Sequence, residues 1–476
     1  MNKIPYKWLA LSATSLGALL SVMTGTALLI ALPNVAADLN APMIIIIWVL
    51  MSYMLAITVL VPSIGRIADM MGRKRLFVLG SGIFTETSLF AGMSQSGMEL
   101  LIIRVIQSVG GSLMMANSVA IVTDAFPKGE LGRALGINVM VIAVGFAIGP
   151  IVGGILTVTA GWRWIFYMNV PLGALVTVWS LIQIRDIAPL LKGEKFDWLG
   201  ATSFTAGMFF LLYALTEGGF GGWTSPLVIT FFILAAILIP LFVYIEFKIK
   251  QPMLDLRLFK SRVLIFAYSS KLINGIAIGA LMFLLIFYLL GIKSMSPFTA
   301  SIYLIPFAVA MMVMAPISGA LSDKYGSRIL SSLGLLVSGI GLLGFALFIR
   351  VDMSLLEIIF LGTVIGVGSG MFNSPNTNTI MSMMPQDRRG IAGATSIMMG
   401  NAGSVISIAM TFAIISSGLT PQAMDALFIG AHIGSKGIYV NTFISDLRFA
   451  FYVSFFISIA AAIISYMRGP TPVWKK

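Results

Sequence analysis

The sequence contains no cysteine, a single histidine at His432, and few charged residues. Without cysteine the chain can form no disulfide and offers no thiolate for catalysis or metal binding. One histidine argues against a histidine-cluster metal site and against a Ser-His-Asp triad within a membrane. Charged residues make up 10% of the chain, whereas soluble domains carry about 25%. We therefore expect neither a soluble enzyme nor a bound metal or other cofactor.

Apolar residues fill most of the 476 positions: 58% are hydrophobic, and the mean hydropathy is +0.99. A helix that crosses a bilayer needs about 20 mostly apolar residues. Fourteen such runs, separated by short loops, predict an all-α integral membrane protein with fourteen transmembrane helices and no soluble catalytic domain. The first run is too long for a signal peptide, so we expect a retained helix. The runs cover residues 10–32, 43–64, 76–95, 98–122, 134–157, 164–184, 199–217, 226–247, 264–290, 297–321, 328–349, 353–378, 391–416 and 447–467.

The Lys and Arg residues are distributed unevenly between the two sides of the predicted membrane. Of the 30, two fall within spans, 23 fall in the tails and one set of loops, and five fall in the opposite loops. Cytoplasmic loops are the ones enriched in Lys and Arg. We therefore expect both termini in the cytoplasm and a multi-pass protein of the plasma membrane, with the net charge of +12 unrelated to nucleic acid. The five are Arg163, Lys293, Arg350, Lys436 and Arg448.

One spacing of Gly, Asp and Gly occurs twice, after the second and the tenth predicted spans, at a constant offset of 254 residues. Duplicated transporter halves leave such internal repeats. We expect a six-helix bundle within residues 1–190, two inserted spans and a linker at 191–262, and a second six-helix bundle within 263–476. The first copy comprises Gly65, Asp69, Gly72 and Arg73, and the second comprises Gly319, Asp323, Gly326 and Arg328.

The repeated stretches are predicted to act as conformational gates. Glycine permits a tight turn between two helices, and an aspartate facing Arg or Lys at a helix end can form a charge-assisted bond that breaks when the bundles move. We expect Asp69 to pair with Arg73, and Asp323 with Arg328, each on a short cytoplasmic turn. Ordinary turn glycines with basic residues on the inner side remain the alternative.

Several further motifs accompany the repeat, and together they resemble the major facilitator superfamily in its fourteen-helix drug/proton antiporter branch. The resemblance covers nearly the whole chain and implies two bundles that rock around a central cavity, with export driven by proton entry. It involves Trp48 and Tyr53, the run from Leu101 to Gln107, the run from Gly145 to Gly154, the stretch from Trp162 to Gly173, and the stretch from Phe196 to Gly200.

The fifth span carries the stretch similar to the antiporter motif. Three of its glycines are spaced i, i+4 and i+8, so they form one smooth face that allows a neighbouring backbone to come close. Pro150 removes a backbone hydrogen bond and permits a kink. From the residues alone a static helix seam is the alternative; the resemblance implies that the face lies between the halves and limits leakage. The glycines are Gly145, Gly149 and Gly153, followed by Gly154.

Ionisable residues inside a span are expensive and are functional candidates by default. Glu86 lies near the middle of the third span, where a buried carboxyl would take up a proton readily; a structural, permanently protonated or Arg-paired glutamate is the alternative. For Arg104 the resemblance implies proton relay or charge compensation, against snorkelling to the outer headgroups. Lys271 is a candidate polar residue of the cavity, with snorkelling to the cytoplasm as the alternative. Further polar candidates for the cavity are Thr24, Thr26 and Gln107.

The predicted function is proton-coupled export of small amphipathic compounds by alternating access, in a monomer that uses a small-molecule substrate and protons. Thr24 stands where the family usually carries an acid, and threonine holds neither a proton nor a negative charge at neutral pH. The alternative is therefore a facilitator or exporter of a neutral or anionic metabolite without standard proton coupling. A membrane-embedded enzyme is disfavoured, because no nucleophile–base set lies in the spans. A non-transporting receptor would have little reason to keep both gating loops.

Overall fold

The computed structural model describes residues 5–187, 195–254, 261–418 and 438–469, and within these ranges the chain forms helices joined by turns. Fourteen helices are long and apolar enough to cross a membrane, which confirms the predicted all-α class and span count. His432 lies outside the described residues. The helices are α1 (Tyr6–Asp38), α2 (Met43–Met71), α3 (Arg73–Met93), α4 (Gly97–Ala125), α5 (Leu131–Thr159), α6 (Trp164–Gln183), α7 (Trp198–Gly221), α8 (Pro226–Lys248), α9 (Arg262–Ile292), α10 (Pro297–Tyr325), α11 (Ser327–Phe348), α12 (Leu355–Ser382), α13 (Arg389–Gly418) and α14 (Ile438–Met467).

The helices pack in one pattern that occurs twice. In the first half α1 packs on α5, α2 on α4, and α3 on α4 and α6. Eight helices later α9 packs on α13, α10 on α12, and α11 on α12 and α14. Matching glycines allow matching close approaches: a Cβ on Gly80 would stand 2.8 Å from Gly110 O, and one on Gly334 would stand 2.7 Å from Gly368 O. The duplicated sequence thus folds into duplicated packing.

Besides the contacts of α5 with α12 and of α4 with α13, two helix pairs form the main seams between the halves: α5 packs on α10, and α2 packs on α13. These two seams are equivalent, because α10 is the counterpart of α2 and α13 is the counterpart of α5. Both are tight. A Cβ on Gly136 would lie 2.5 Å from Ala315 O in the α5–α10 seam, and one on Gly65 would lie 2.8 Å from Gly390 O in the α2–α13 seam.

The inserted helices α7 and α8 pack on each other, and α7 also packs on α2 and α13. Leu55 of α2, Phe204 of α7 and Met398 of α13 belong to one apolar cluster. On α2 the ring of Trp48 stacks on Tyr213 of α7 at 4.9 Å between centroids. The insertion therefore covers the α2–α13 seam.

The predicted gating loops are almost entirely helical. α2 continues to Met71 and α3 begins at Arg73, so Gly72 alone separates them, with φ of 103°. Gly326, with φ of 83°, separates α10 from α11 in the same way. A positive φ favours glycine at both places. The expected short turns are present, but the helices extend beyond the predicted spans, which end at residues 64 and 321, because charged residues mark where a helix leaves the apolar layer and not where it ends. We call the end of the bundle that holds these glycines the junction end.

Candidate functional site

Asp69 lies on the last turn of α2 and binds the beginning of α13 across the seam. Its Oδ1 accepts from the amide of Gly390 at 3.0 Å, and its Oδ2 accepts from the amide of Ile391 at 3.1 Å. The first amides of a helix have no partner within the helix and form its positive end. Arg73 Nη2 also donates to Asp69 Oδ1, at 2.7 Å. Asp69 therefore caps a helix of the other half while paired with the expected arginine.

Arg73 belongs to a larger charge network. It donates to Asp124 at the end of α4 and to the carbonyl of Gln386 at 3.0 Å. Arg389, the first residue of α13, donates to the other oxygen of Asp124 at 3.2 Å. Asp69, Arg73, Asp124 and Arg389 thus form alternating charges, which we call the junction network. Sequence reasoning did not identify Asp124 and Arg389 as part of it.

Asp323 does in the second seam what Asp69 does in the first. Its two oxygens accept from the amides of Gly132 at 2.9 Å and Arg133 at 3.0 Å, at the beginning of α5. Asn378 Nδ2 donates to Asp323 Oδ1 at 3.0 Å. The expected pairing with Arg328 was wrong: Arg328 donates to Tyr466 O at 2.7 Å and covers the Tyr466 ring.

The second seam has neutral residues where the first has charged ones. At the offset of 254, Ser327 stands for Arg73, and Asn378 stands for Asp124. Ser327 bonds to the hydroxyl of Thr379. The serine side chain is too short to reach over the seam as Arg73 does. Asp323 is therefore bound by two backbone amides and the side-chain amide of Asn378, and not by an arginine.

The capped amides carry a sequence signal of their own. Pro127 and Gly132 recur as Pro385 and Gly390 at an offset of 258 residues. Each proline precedes a short 3₁₀ turn, Lys128–Glu130 or Gln386–Arg388, which leads into the capped helix. A search for this second repeat would have found the partners of both aspartates.

The glycine face of α5 packs mainly on α1, inside the first half. A Cβ on Gly149 would collide with Thr26 Oγ1, one on Gly145 would lie 3.2 Å from Val22 Cγ1, and one on Gly153 would lie 2.5 Å from Ala27 O. Only Gly154 meets the other half, 3.3 Å from Phe298 Cα of α10 by the same measure. The expected position between the halves was wrong for the first three glycines. Gly145, Gly149 and Gly153 lie on one stripe of α5, whereas Gly154 points about 100° away around the helix axis.

Pro150 is buried within α5, next to that stripe. The hydroxyl of Thr26 is shared among carbonyls of its own helix and Gly145 O of α5, at 3.4 Å. The glycine face thus brings a polar atom of α1 against the backbone of α5.

Arg104 of α4 is fully buried, so it does not snorkel. Its Nη1 donates to Gln107 Oε1 at 2.5 Å, and its guanidinium stands over the Tyr53 ring at 4.1 Å. Gln107 in turn donates to Ser88 Oγ at 2.7 Å. In the described part of the chain Nη2 of Arg104 has no hydrogen-bond partner. Arg104 is thus a buried cation with neutral hydrogen-bond partners and one unused donor group.

Thr24 is buried and shares its hydroxyl between Leu20 O at 2.7 Å and Asn169 Oδ1 of α6 at 3.0 Å. Within the described ranges the amide nitrogen of Asn169 finds no partner. A neutral donor–acceptor pair therefore occupies the place where the family resemblance implied an acid.

Lys271 of α9 lies in the second half, and its side chain is only partly covered. Its Nζ donates to Asn373 Oδ1 of α12 at 2.5 Å, and Asn373 donates to Ser369 O at 3.0 Å. An ammonium group has three donors, so an amide leaves two for water or a ligand. The side chain is held inside the bundle by α12 and does not extend to the membrane surface.

Glu86 is exposed on the outer surface of α3, where Leu89 and Phe90 are exposed too. The expectation of a buried apolar site was wrong. The position of Glu86 along the span does not fix the rotation of the helix, which turns this carboxyl away from the other helices.

Metal chemistry finds no support in the side chains of the described ranges, which contain no group of three His, Asp or Glu residues able to hold an ion.

Comparison with known proteins gives the family. A family model described as "Major Facilitator Superfamily" matches residues 14–408 and 267–476. The riboflavin transporter RibZ of Clostridioides difficile is 33% identical over 420 residues, covering 87% of this chain and 89% of that protein. The multidrug resistance protein Stp of Mycobacterium tuberculosis is 30% identical over 413 residues, covering 87% and 76%. The tetracenomycin C resistance and export protein of Streptomyces glaucescens is 26% identical over 504 residues, covering 98% and 92%.

Among solved structures, the human organic anion transporter MFSD10 superposes with a TM-score of 0.64 and covers 96% of this chain and 100% of its own. At 13% sequence identity this likeness concerns the fold alone.

Proposed function

Because the chain belongs to the major facilitator superfamily and is a multi-pass membrane transporter, we propose that it exports small amphipathic organic compounds, neutral or anionic, by alternating access. The observation that carries the substrate class is Lys271, a partly accessible cation whose hydrogen-bond partner is a neutral amide. Arg104 adds a second cation, which is fully buried and has a free donor group. Two cations attract an anion and repel a cation, and Thr24 supplies no compensating acid.

The junction end is proposed to face the cytoplasm, as the distribution of Lys and Arg predicts. Asp69 and Asp323 then close the cytoplasmic end. When the halves rock, both caps break and the cytoplasmic end opens. The domains that rock are the bundles within residues 1–190 and 263–476, and the protein works as a monomer in the plasma membrane.

Proton-coupled drug efflux is the second candidate. It is favoured by the tight α1–α5 packing through Gly149, in the motif that resembles antiporters, and by relatives named for multidrug resistance and export. Coupling requires a carboxyl that changes its proton with the state of the transporter. The polar groups described around Thr24, Arg104 and Lys271 do not include one.

Transport by the purified protein in lipid vesicles tests the substrate class. Planar aromatic compounds of similar size, in anionic, neutral and cationic forms, are compared for uptake with and without a proton gradient. We expect the anionic and neutral forms to be carried. Transport of the cationic form alone would overturn the proposal.

Lys271→Gln tests the residue that carries the argument. We expect loss of anion transport by about tenfold or more, since about 1.4 kcal/mol of lost attraction corresponds to a factor of ten, with neutral compounds less affected. Lys250→Gln removes the same charge from an exposed position outside the spans and leaves transport unchanged. Equal anion transport by both variants would remove Lys271 from the substrate path.

A further inference from the structure

The inserted hairpin places two acidic residues together at the junction end. Asp197 immediately precedes α7, and its Oδ1 accepts from the amide of Gly200 at 2.8 Å. Glu246 lies on the last turn of α8, and its Oε2 accepts from the amide of Leu254 at 3.2 Å. The two residues are only 6% and 4% exposed. One oxygen of each carboxyl is thus satisfied by backbone.

The second oxygens of the two carboxyl groups lie beside the same point of the backbone, at Gly200. Glu246 Oε1 lies 2.8 Å, and Asp197 Oδ2 closer still, from the point where a Cβ on Gly200 would stand. Neither oxygen has a hydrogen-bond partner among the described residues. Two buried acceptors therefore share one small space without a donor between them.

Two ionised carboxylates in that arrangement would repel each other and leave both oxygens unsatisfied, and burial adds its own cost to each charge. A single proton removes one charge and forms an O–H···O bond that satisfies both oxygens, as in other close carboxyl pairs. The charged group facing Glu246 from α2 is Arg66, which attracts the negative charge of the glutamate. From α13 the apolar side chains of Ile391 and Met398 pack with apolar residues of α7 and α8.

We propose that Asp197 and Glu246 hold one proton between them, so that the inserted hairpin is a proton-binding site separate from the polar groups of the two bundles. The proton comes from hydronium in the surrounding water: an O–H bond of hydronium breaks, the O–H bond of one carboxyl group forms, and a water molecule is released. Arg66 and Asp69 lie one helical turn apart on α2. Loss of the proton leaves an additional negative charge beside Arg66, next to the cap that closes the α2–α13 seam. The site exists whichever substrate is transported.

Infrared difference spectra of the purified protein, recorded during a pH titration, test the proposal. A protonated carboxylic acid gives its own carbonyl stretch, and we expect wild-type protein to lose one such band as the pH rises. Glu246→Gln and Asp197→Asn each remove the band, because either change leaves no carboxyl pair. Glu217→Gln, which alters another carboxyl of α7, keeps it. A band that persists in both variants, or no titrating band in wild type, would overturn the pair.

The same titration in sodium and in a bulky organic cation distinguishes a proton from a metal ion in the site. We expect identical spectra in the two salts, whereas displacement of the band by sodium would identify a sodium site and contradict the proposal. Asn is as good a helix N-cap as Asp, so Asp197→Asn is expected to fold even where Glu246→Gln does not. Downhill substrate flux in vesicles verifies the fold of each variant.

Discussion

Asp69 and Asp323 form the same bond in opposite directions: each accepts two backbone amides from the first turn of a helix in the other half. Asp69 extends from the first half to α13, and Asp323 extends from the second half to α5. A hydrogen bond to a charged group contributes about 1.5–3 kcal/mol. Opening the junction end therefore requires both aspartates to release their helices, and the network around Asp69 adds to the cost on one side only.

Asp69→Asn is expected to impair transport more than Asp323→Asn. Neutralising Asp69 leaves Arg73 with Asp124, which Arg389 also uses, so the junction network carries an excess positive charge. Neutralising Asp323 weakens its bonds to Gly132 and Arg133 without creating an unpaired cation. We expect at least a tenfold loss of transport for the first variant and a several-fold loss for the second, measured as initial rates in vesicles. Wild-type rates in both would refute the capping role.

Asp124→Asn should open the junction end more often than Asn378→Ala does. The first change removes the carboxylate that Arg73 and Arg389 share, whereas the second removes a neutral amide from Asp323. The chain has no cysteine, so Ser374→Cys, buried beside Gly132 O, provides a single labelling site. Its rate of alkylation by a soluble maleimide reports opening. Faster labelling with Asn378→Ala than with Asp124→Asn would contradict the unequal strengths of the seams.

Gly149→Ala should reduce transport or stability, whereas Gly25→Ala should not. An added Cβ at Gly149 collides with Thr26 Oγ1 and comes within 2.9 Å of Met23 O, so α1 and α5 must separate. At Gly25 the added atom meets nothing within 4 Å. Crowding of a packed site typically costs about 1–3 kcal/mol. Thermal unfolding in detergent and transport rates are measured for both; indistinguishable results would show that the α1–α5 packing is loose.

Glu86→Gln is expected to leave transport unchanged, with or without a proton gradient. The carboxyl is exposed on the outer surface of α3 and is separated from the polar groups of the bundle by its own helix. The measurement is accumulation of substrate in vesicles at two external pH values. Loss of gradient-driven accumulation with intact downhill flux would restore Glu86 as a coupling residue.

The helices could be counted from the sequence, but the direction of each side chain could not. Twenty apolar residues mark a span reliably because water cannot satisfy its backbone inside the bilayer. Lipid is as apolar as the protein interior, however, so an apolar span does not reveal which face is buried. Glu86 illustrates this, because it lies within a predicted span, yet its side chain is exposed and not buried as expected.

The candidate site was predictable where the sequence duplicates itself. Asp69 and Asp323 were identified from their common offset, and their helix-end positions followed. Their amide partners were missed because a backbone N–H has no sequence signature of its own; only the glycine and proline around Gly132 and Gly390 mark it. The pairing of Asp323 with Arg328 failed because Arg328 stands at the position of Lys74, one residue beyond the position of Arg73, and donates instead to Tyr466 O of α14.

The inserted hairpin contacts the two sides of the α2–α13 seam by different kinds of interaction. Towards α2 it has directional contacts: Trp48 stacks on Tyr213, and Thr205 donates to Val59 O at 3.4 Å. Towards α13 it presents apolar side chains to Met398, Ala402 and Val405. Directional bonds fix two elements in register, whereas smooth apolar surfaces can slide. We therefore expect α7 and α8 to move with the first half when the halves separate, while α13 moves along their apolar surface and the opening seam stays covered.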